Sequence, residues 1–346
     1  MNLYQNLLEA LGNNENKLVI TSLKGASGTI DNDFNRVMVN LNDISDSRLK
    51  EAALEVLKEG KPGMVREKEG STLIEPFYPR ERLIILGGGH IALPLAEFGA
   101  RVGFEVTVVD DRPSFANKAR FPIAETVICE RFEKVFIQLK LTVYDYIVII
   151  TRGHRHDTEC LRHILKQPET IYLGMIGSRR RVGAVKDMLK EEGYDQNRIE
   201  RICTPIGLSI GAVTPEEISI SIIAQIISRK RLEWNRNYTG NRSDLDYKVV
   251  ELLAERKDQP MSIVTIIDTK GSVPRGAGAK MIVYETGQIA GSIGGGCSEA
   301  EVIHNAISII GSKNFMLQTI DMTGDVAESE GMVCGGIMEV LIEDCI

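Results

Sequence analysis

No apolar stretch in this chain reaches the ~18 residues a membrane-spanning helix requires, so no membrane partner is expected. The start, Met1-Asn2-Leu3-Tyr4, lacks the basic and apolar regions of a secretory signal. Cysteine is sparse, six in 346 residues, and no two stand at C-x-x-C spacing, which excludes a disulfide framework. These absences predict a soluble, cytoplasmic protein with reduced thiols. Basic charge is also short. Lys and Arg number 41 against 48 Asp and Glu, a net charge of −7. A nucleic-acid binder would need a basic surface to displace counterions from phosphate, so that class is set aside.

What remains is 43% hydrophobic and 26% charged, the balance of a globular protein rather than a disordered or fibrous one. Glycine is in excess, 32 residues. At roughly 150 residues per domain the length predicts two domains or more.

The middle of the chain alternates short apolar runs with helix-like segments. The runs are Arg82-Leu-Ile-Ile-Leu86, Phe104-Glu-Val-Thr-Val-Val109, Tyr146-Ile-Val-Ile-Ile150 and Thr170-Ile-Tyr-Leu-Gly-Met-Ile176. Asp157 to Lys166 and Arg180 to Glu192 are helix-like. This alternation predicts an α/β fold, a doubly wound parallel sheet of Rossmann type over 81–240. Thr214-Pro-Glu-Glu-Ile caps its closing helix, with proline at the first helical position. Thr239-Gly-Asn-Arg-Ser then reads as a linker.

Residues 245–346 read as a smaller α+β domain. Its strands are Ser262-Ile-Val-Thr-Ile-Ile267, Lys280-Met-Ile-Val-Tyr284 and Ile337-Met-Glu-Val-Leu-Ile342, with a helix from Glu299 to Ile310. Residues 1–80 repeat it in faded form. Lys17 to Gly25 lies over Ser262 to Gly271, Arg36-Val-Met-Val39 over Lys280-Met-Ile-Val283, and Ser71 to Pro76 over Glu339 to Asp344. The N-terminal copy lacks the glycine cluster and any cysteine, so a site is expected only in the C-terminal copy. A repeat at each end also predicts a homodimer, its copies paired in cis or in trans.

Gly87-x-Gly89-x-x-Ala92 follows a strand and opens a helix, as a dinucleotide fingerprint must. Asp110 ends the next strand, where an acid accepts from ribose hydroxyls, with Asp111 beside it. The bland alternative is a Rossmann scaffold with an empty cleft. Thr151-Arg-Gly-His-Arg-His-Asp157 lacks the further histidine of a hydrolase metal site and reads as a loop anchored through Arg152 and Asp157. Ser178 and Arg179, in Gly177-Ser-Arg-Arg-Arg181, suit a phosphate or a solvated helix start equally.

Cys297 ends Gly291-Ser-Ile-Gly-Gly-Gly-Cys at a helix start, and Cys334 lies in Gly331-Met-Val-Cys-Gly-Gly336. A helix N-terminus lowers a thiol's pKa and favours the thiolate needed for a soft metal or sulfur chemistry. Small buried core cysteines are the alternative. Arg275 and Lys280, in Gly271-Ser-Val-Pro-Arg-Gly-Ala-Gly-Ala-Lys280, are placed to meet an anion opposite these thiols or to sit as solvated hairpin charges.

Taken together these segments resemble the XdhC/CoxI family of molybdenum-hydroxylase accessory proteins. Gly271-Ser-Val-Pro-Arg275, Gly278-Ala-Lys-Met281, Gly291 to Ala300 and Gly331 to Gly336 are similar to the XdhC/CoxI domain. Val108-Val-Asp-Asp-Arg-Pro113, Thr151 to Asp157, Gly177 to Arg180 and Pro205-Ile-Gly-Leu-Ser-Ile-Gly211 are similar to its partner Rossmann domain. Family members usually place the XdhC/CoxI domain first, whereas here the complete copy comes last.

The resemblance implies a cofactor-binding chaperone rather than a turnover enzyme. It would hold the molybdenum cofactor (molybdopterin) during sulfuration and deliver it to a xanthine dehydrogenase-type apoenzyme, with a cysteine desulfurase as a further partner. The contact candidates are then Gly87, Gly89, His90, Ala92, Asp110, Asp111, Arg152, Ser178 and Arg179 on the Rossmann side. Arg275, Gly294, Gly295, Gly296, Cys297, Glu299 and Cys334 are those of the last block, with Cys297 and Cys334 as ligands of the molybdenum. The rival class is an NAD(P)-dependent oxidoreductase, in which His90 or His154 would supply the general acid.

Overall fold

In the computed structural model, which describes residues 2–25, 33–68, 70–232, 240–256, 259–295, 297–322 and 335–345, the chain forms two units. One combines Met1–Pro79 with Thr239–Ile346, and the other is Arg80–Tyr238.

The first segment runs α1 (Leu3–Gly12), β1 (Lys17–Lys24), β2 (Asp33–Val39), α2 (Ser47–Glu59), β3 (Gly63–Glu67) and β4 (Gly70–Phe77). Asn2 opens α1 with a capping box, its side chain accepting from the Gln5 amide while the Gln5 side chain accepts from the Asn2 amide. Asp46 caps α2, and Gly60 ends it in the left-handed region at φ 67°. The strands form an antiparallel sheet in the order β2-β1-β4-β3.

The second unit runs β5 (Arg82–Leu86), α3 (Ala92–Arg101), β6 (Glu105–Asp110), β7 (Thr126–Cys129), α4 (Phe132–Leu139), β8 (Asp145–Ile149), α5 (His154–Ile164), β9 (Tyr172–Met175), α6 (Arg179–Glu191), α7 (Gln196–Glu200) and α8 (Pro215–Arg231). Its sheet is wholly parallel, ordered β7-β6-β5-β8-β9, and Cys203 adds a parallel bridge to Gly174 outside β9. Alternate strand residues bury on opposite faces. Ile84, Leu86, Ile147 and Ile149 pack with α4, α5 and α6, whereas Leu83, Ile85, Tyr146 and Val148 pack with α3 and α8. Burial on both faces explains why these strands read as unbroken apolar runs. The capping box of Thr214 with Glu217 starts α8, which continues to Arg231.

The third segment runs α9 (Tyr247–Glu255), β10 (Met261–Lys270), β11 (Lys280–Tyr284), β12 (Ile289–Gly291), α10 (Cys297–Ile309), β13 (Phe315–Asp321) and β14 (Ile337–Cys345). Its antiparallel order is β12-β11-β10-β14-β13. Apart from the added edge strand β12, this is the path of the first segment, with β10 central as β1 is and β14 between β10 and β13 as β4 lies between β1 and β3.

Within the first unit the two repeats share a core. Val19, Leu7, Leu11 and Phe77 of one pack with Val249, Leu253, Ile263 and Ile282 of the other. Leu23 and Leu73 pack with Ile267, Phe315 and Leu341. The Asn2 side chain donates to the carbonyls of Leu253 and Ala254 at 3.1 Å, which fastens the start of α1 to the end of α9. Two ion pairs cross the same seam. Lys280 with Glu75 is fully buried, and Arg36 with Glu343 is nearly so. Among the described residues no helix is long and apolar enough to cross a membrane.

Candidate functional site

The glycine turn after β5 sits where a parallel sheet reverses its strand order, between β5 and β8. Gly87 holds φ 117°, and a Cβ there would lie 2.4 Å from the Ile150 carbonyl oxygen, so only glycine lets the turn pass the neighbouring strand end. Gly89 has open space around it, His90 is exposed, and Ala92 is buried at the first position of α3.

Asp110 behaves differently from a free ribose acceptor. One carboxylate oxygen accepts from the Arg112 amide at 3.1 Å and Arg112 Nε at 2.8 Å. The other accepts from the Gly88 amide at 2.8 Å and the Arg112 guanidinium at 2.9 Å. A carboxylate offers about four lone-pair positions, and all of them are engaged. Burial alone would raise its pKa, but these donors outweigh it and hold the carboxyl below the ordinary value of 3.8. Arg112 also lies 3.6 Å from the Phe115 ring centre, and Arg120 donates to the carbonyls of Gly88 and Gly89 at 3.2 and 3.3 Å. The loop after β6 therefore clasps the glycine turn. A dinucleotide whose ribose hydroxyls bind Asp110 fits only if Arg112 first leaves.

The other strand ends complete this edge. Arg152 is half exposed and pairs with Asp111 at 2.9 Å. Asp157 is buried, accepts from Thr151 Oγ1 at 2.5 Å and pairs with Arg181. Burial pushes its carboxyl up against the pull of those two partners. Both contacts anchor the loop, as Thr151-Arg-Gly-His-Arg-His-Asp157 suggested. His156 packs toward Phe132 and Glu159 rather than into a ligand cluster. The His154 side chain lies outside the described residues. Ser178 caps α6, with Arg179 exposed beside it. Among the described residues no group of three His, Cys, Asp or Glu side chains is placed to hold a metal ion.

In the last repeat the turn before α10 is built on glycine. Gly291, Gly294 and Gly295 have φ values of 80°, 135° and 77°. Glu299, in the first turn of α10, reaches back to accept from Ser292 Oγ and the Ile293 amide, both at 3.0 Å, and Ser292 Oγ accepts from the Gly294 amide at 3.0 Å. Glu299 therefore fixes the turn's shape. Cys297 opens α10, at the positive end of its dipole.

Two further segments meet this region through the loop 271–275. The Pro274 ring packs on Gly294, where a Cβ would come within 2.3 Å of Cγ, and Gly336 lies against the Ser272 and Lys270 carbonyls. The side chains of Cys297 and Ser298, all of Gly296, and residues 323–334 with Cys334 lie outside the described residues, so the separation of the two sulfurs does too.

Both cations of the preceding hairpin are engaged. Arg275 grips Asp244 through Nε at 2.7 Å and a second nitrogen at 3.2 Å, and Asp244 also accepts from the Gly276 amide at 2.8 Å. For Lys280 the structure corrects the expectation from sequence. It is neither solvated nor open to an anionic ligand but buried, with Nζ 2.5 Å from Glu75 and 2.8 Å from Thr265 Oγ1. The sequence hides this because the acid partner lies 205 positions away.

Residues 83–226 match the XdhC Rossmann domain, and residues 254–321 match the XdhC and CoxI family. The chain belongs to the XdhC/CoxI family. This XdhC/CoxI chain is 33% identical over 160 residues to a protein of Bacillus subtilis named as a probable xanthine dehydrogenase subunit, covering 46% of each chain. It is 33% identical over 161 residues to YqeB of Escherichia coli, covering 46% of this chain and 29% of that one. The matched region thus spans less than half the length of either relative. A crystal structure described as a xanthine dehydrogenase from Bacillus halodurans is 22% identical, covers 65% of this chain and 93% of its own, and superposes with a TM-score of 0.41.

Sequence reasoning misses three residues of these sites: Arg112, Arg120 and Asp244. Arg112 stands two positions from Asp110 on the strand end, a spacing that local pairing could have flagged. Asp244 falls just past a stretch that reads as linker, and nothing in its sequence surroundings points to Arg275.

Proposed function

We propose that this XdhC/CoxI chain is an accessory factor for a xanthine dehydrogenase-type molybdenum hydroxylase. It binds the molybdenum cofactor as cargo, presents it for sulfuration and passes it to the apoenzyme. The observation that carries this reading is the presence in one chain of both the XdhC Rossmann domain and the XdhC and CoxI segment. The name of the Bacillus subtilis relative agrees with it.

The last repeat has chemistry suited to that cargo. The turn has open backbone at Gly295, where a Cβ would meet nothing closer than Glu299 at 3.9 Å, so a flat pterin could approach it. Cys297, at the first position of α10, is set where a thiolate is favoured, and a thiolate is a soft ligand for molybdenum and a carrier for sulfur. Cys334 is the second thiol of the proposal, and a cysteine desulfurase is the proposed sulfur source. The hydride-transfer alternative is weakened by Asp110, whose acceptor positions are engaged by Arg112 and Gly88.

Purification of the full chain under anaerobic, reducing conditions from a molybdenum-replete host tests the reading. Molybdenum and pterin are expected to co-purify in equal amounts, and the loaded protein is expected to activate a xanthine dehydrogenase apoenzyme. In the Cys297→Ser, Cys334→Ser double variant both loading and activation are expected to fall about tenfold or more, on the order of one lost strong contact. Binding of NADH with no retained molybdenum would overturn the proposal in favour of the oxidoreductase, and undiminished loading of the double variant would remove the thiols from it.

A further inference from the structure

Each repeat of the first unit sets a threonine, a cation and an acid at matching positions on the side that meets the other. In the first, Thr21 stands opposite Arg36 across the β1–β2 ladder, and Glu75 on β4 stands opposite Val19. In the last, Thr265 stands opposite Lys280 across β10–β11, and Glu343 on β14 stands opposite Ile263. The registers superpose residue for residue: threonine, a cation across from it, and an acid opposite the residue two places before it. Each cation bonds the threonine of its own repeat, Arg36 Nε to Thr21 Oγ1 at 3.0 Å and Lys280 Nζ to Thr265 Oγ1 at 2.8 Å. Each cation takes its acid from the other repeat.

Reciprocal exchange of partners is the signature of a two-fold interface, in which position i meets j and j meets i. Here both halves belong to one polypeptide. We propose that the seam between the repeats is a homodimer interface closed within a single chain. Its C-terminal face keeps the ability to take the C-terminal repeat of a second copy when the N-terminal repeat is removed from it.

The charges support that occupant. Replacing the N-terminal repeat by a second C-terminal one sets Lys280 against the other chain's Glu343, and the reverse, so both crossed pairs reform. The apolar flank Ile263, opposite Glu343 as Val19 is opposite Glu75, replaces Val19 with a residue of the same kind. In the native chain the tethered N-terminal repeat is favoured over a second molecule, because covalent linkage presents it at an effective concentration on the order of millimolar. This face is therefore closed to a second chain in the native protein, and the cis arrangement is the one adopted. The pair of repeats carries a single glycine turn of this kind, since the N-terminal repeat has Asn40-Leu-Asn-Asp-Ile-Ser-Asp46 between β2 and α2.

Full-length variants test this by mass in solution, at micromolar concentration, with circular dichroism as the check on folding. Arg36→Glu with Glu75→Lys sets like charges against Glu343 and Lys280. The N-terminal repeat should leave, and the mass should double relative to the native protein, whose chain is 38.3 kDa. Adding Lys280→Glu and Glu343→Lys restores opposite charges across the native seam and should return the mass to the native value. A double variant that keeps the native mass, or that aggregates rather than doubling, overturns the proposal. So does a quadruple variant that stays doubled. Cofactor loading is not read in this experiment, so its outcome is independent of the proposed function.

Discussion

β1 and β10 bury a threonine at the same register, β2 and β11 set a cation opposite it, and β4 and β14 supply an acid, so the inner faces of the two repeats are nearly interchangeable. Their outer loops share almost nothing. The last repeat places Gly291 to Gly295 before α10 and braces them with Glu299, whereas the first joins β2 to α2 through a polar stretch without glycine. The difference teaches that pairing and ligand chemistry are carried by separate parts of the same fold. The buried face must match its partner closely, and the exposed turns are free to diverge once one copy suffices.

The severest way to break that comparison is to remove one cation from the seam. Lys280→Met leaves the Glu75 carboxylate buried and unpaired, and a cost of about 3–5 kcal/mol is expected from urea unfolding. Arg36→Met, the twin change, should cost a similar amount by the same mechanism. A twin that unfolds at the native urea midpoint would show that the two pairs are not equivalent.

A second test strikes the loops. Gly294→Ala meets Pro274 at a φ of 135°, and a loss of about 1–3 kcal/mol is expected in thermal melts. Gly183→Ala, inside α6 with nothing within 4 Å, should instead stabilise by about 0.5–1 kcal/mol. Glu299→Gln keeps the size of the brace but removes its charge. A loss of about 1 kcal/mol and faster proteolysis before α10 are expected.

The mildest test compares the two glycine turns, each held by one carboxylate. Asp110 is held below its ordinary pKa, so its contribution to stability is complete above the unfolded value of 3.8 and is lost as pH falls through the lower folded value. Melting temperature should therefore drop faster below that value in the native protein than in Arg112→Leu, where the largest of the favourable partners is gone. The same variant should raise NADH affinity in a fluorescence titration if the clasp is what excludes a ribose. Parallel acid profiles for the two proteins would separate Asp110 from Arg112.

Much of this architecture is legible in sequence because burial leaves a pattern. Strands covered on both faces read as Leu83-Ile-Ile-Leu86 and Tyr146-Ile-Val-Ile149, and Thr214 with Pro215 and Glu217 announces α8. The short β7, the edge strands β3 and β12, and β13 leave weaker signals. Thr126-Val-Ile-Cys129 is half exposed, and β12 has only three residues, one of them glycine. The glycine turns are visible as composition, but their clasps are not. Glu299 has the position of a ligand contact and acts as a brace, and Arg275 has that of an anion contact and grips Asp244. Lys280 has the plainest long-range dependence of all, since no local pattern reveals that its acid lies on another repeat.

The Rossmann unit is spliced into the middle of the repeat pair, which gives synthesis on the ribosome a fixed order. The parallel sheet is complete once Cys203 and α8 have emerged, while β1 and β4 still wait for β10 and β14, which begin only at Met261 and Ile337. During that interval Leu7, Val19 and Leu23 have no permanent cover, and an uncovered sheet face of this kind invites association. A nascent chain halted before Ile337 would carry a folded Rossmann domain and a first repeat whose Leu23 and Leu73 still lack Leu341, so β14 is the element that completes the cover of that cluster.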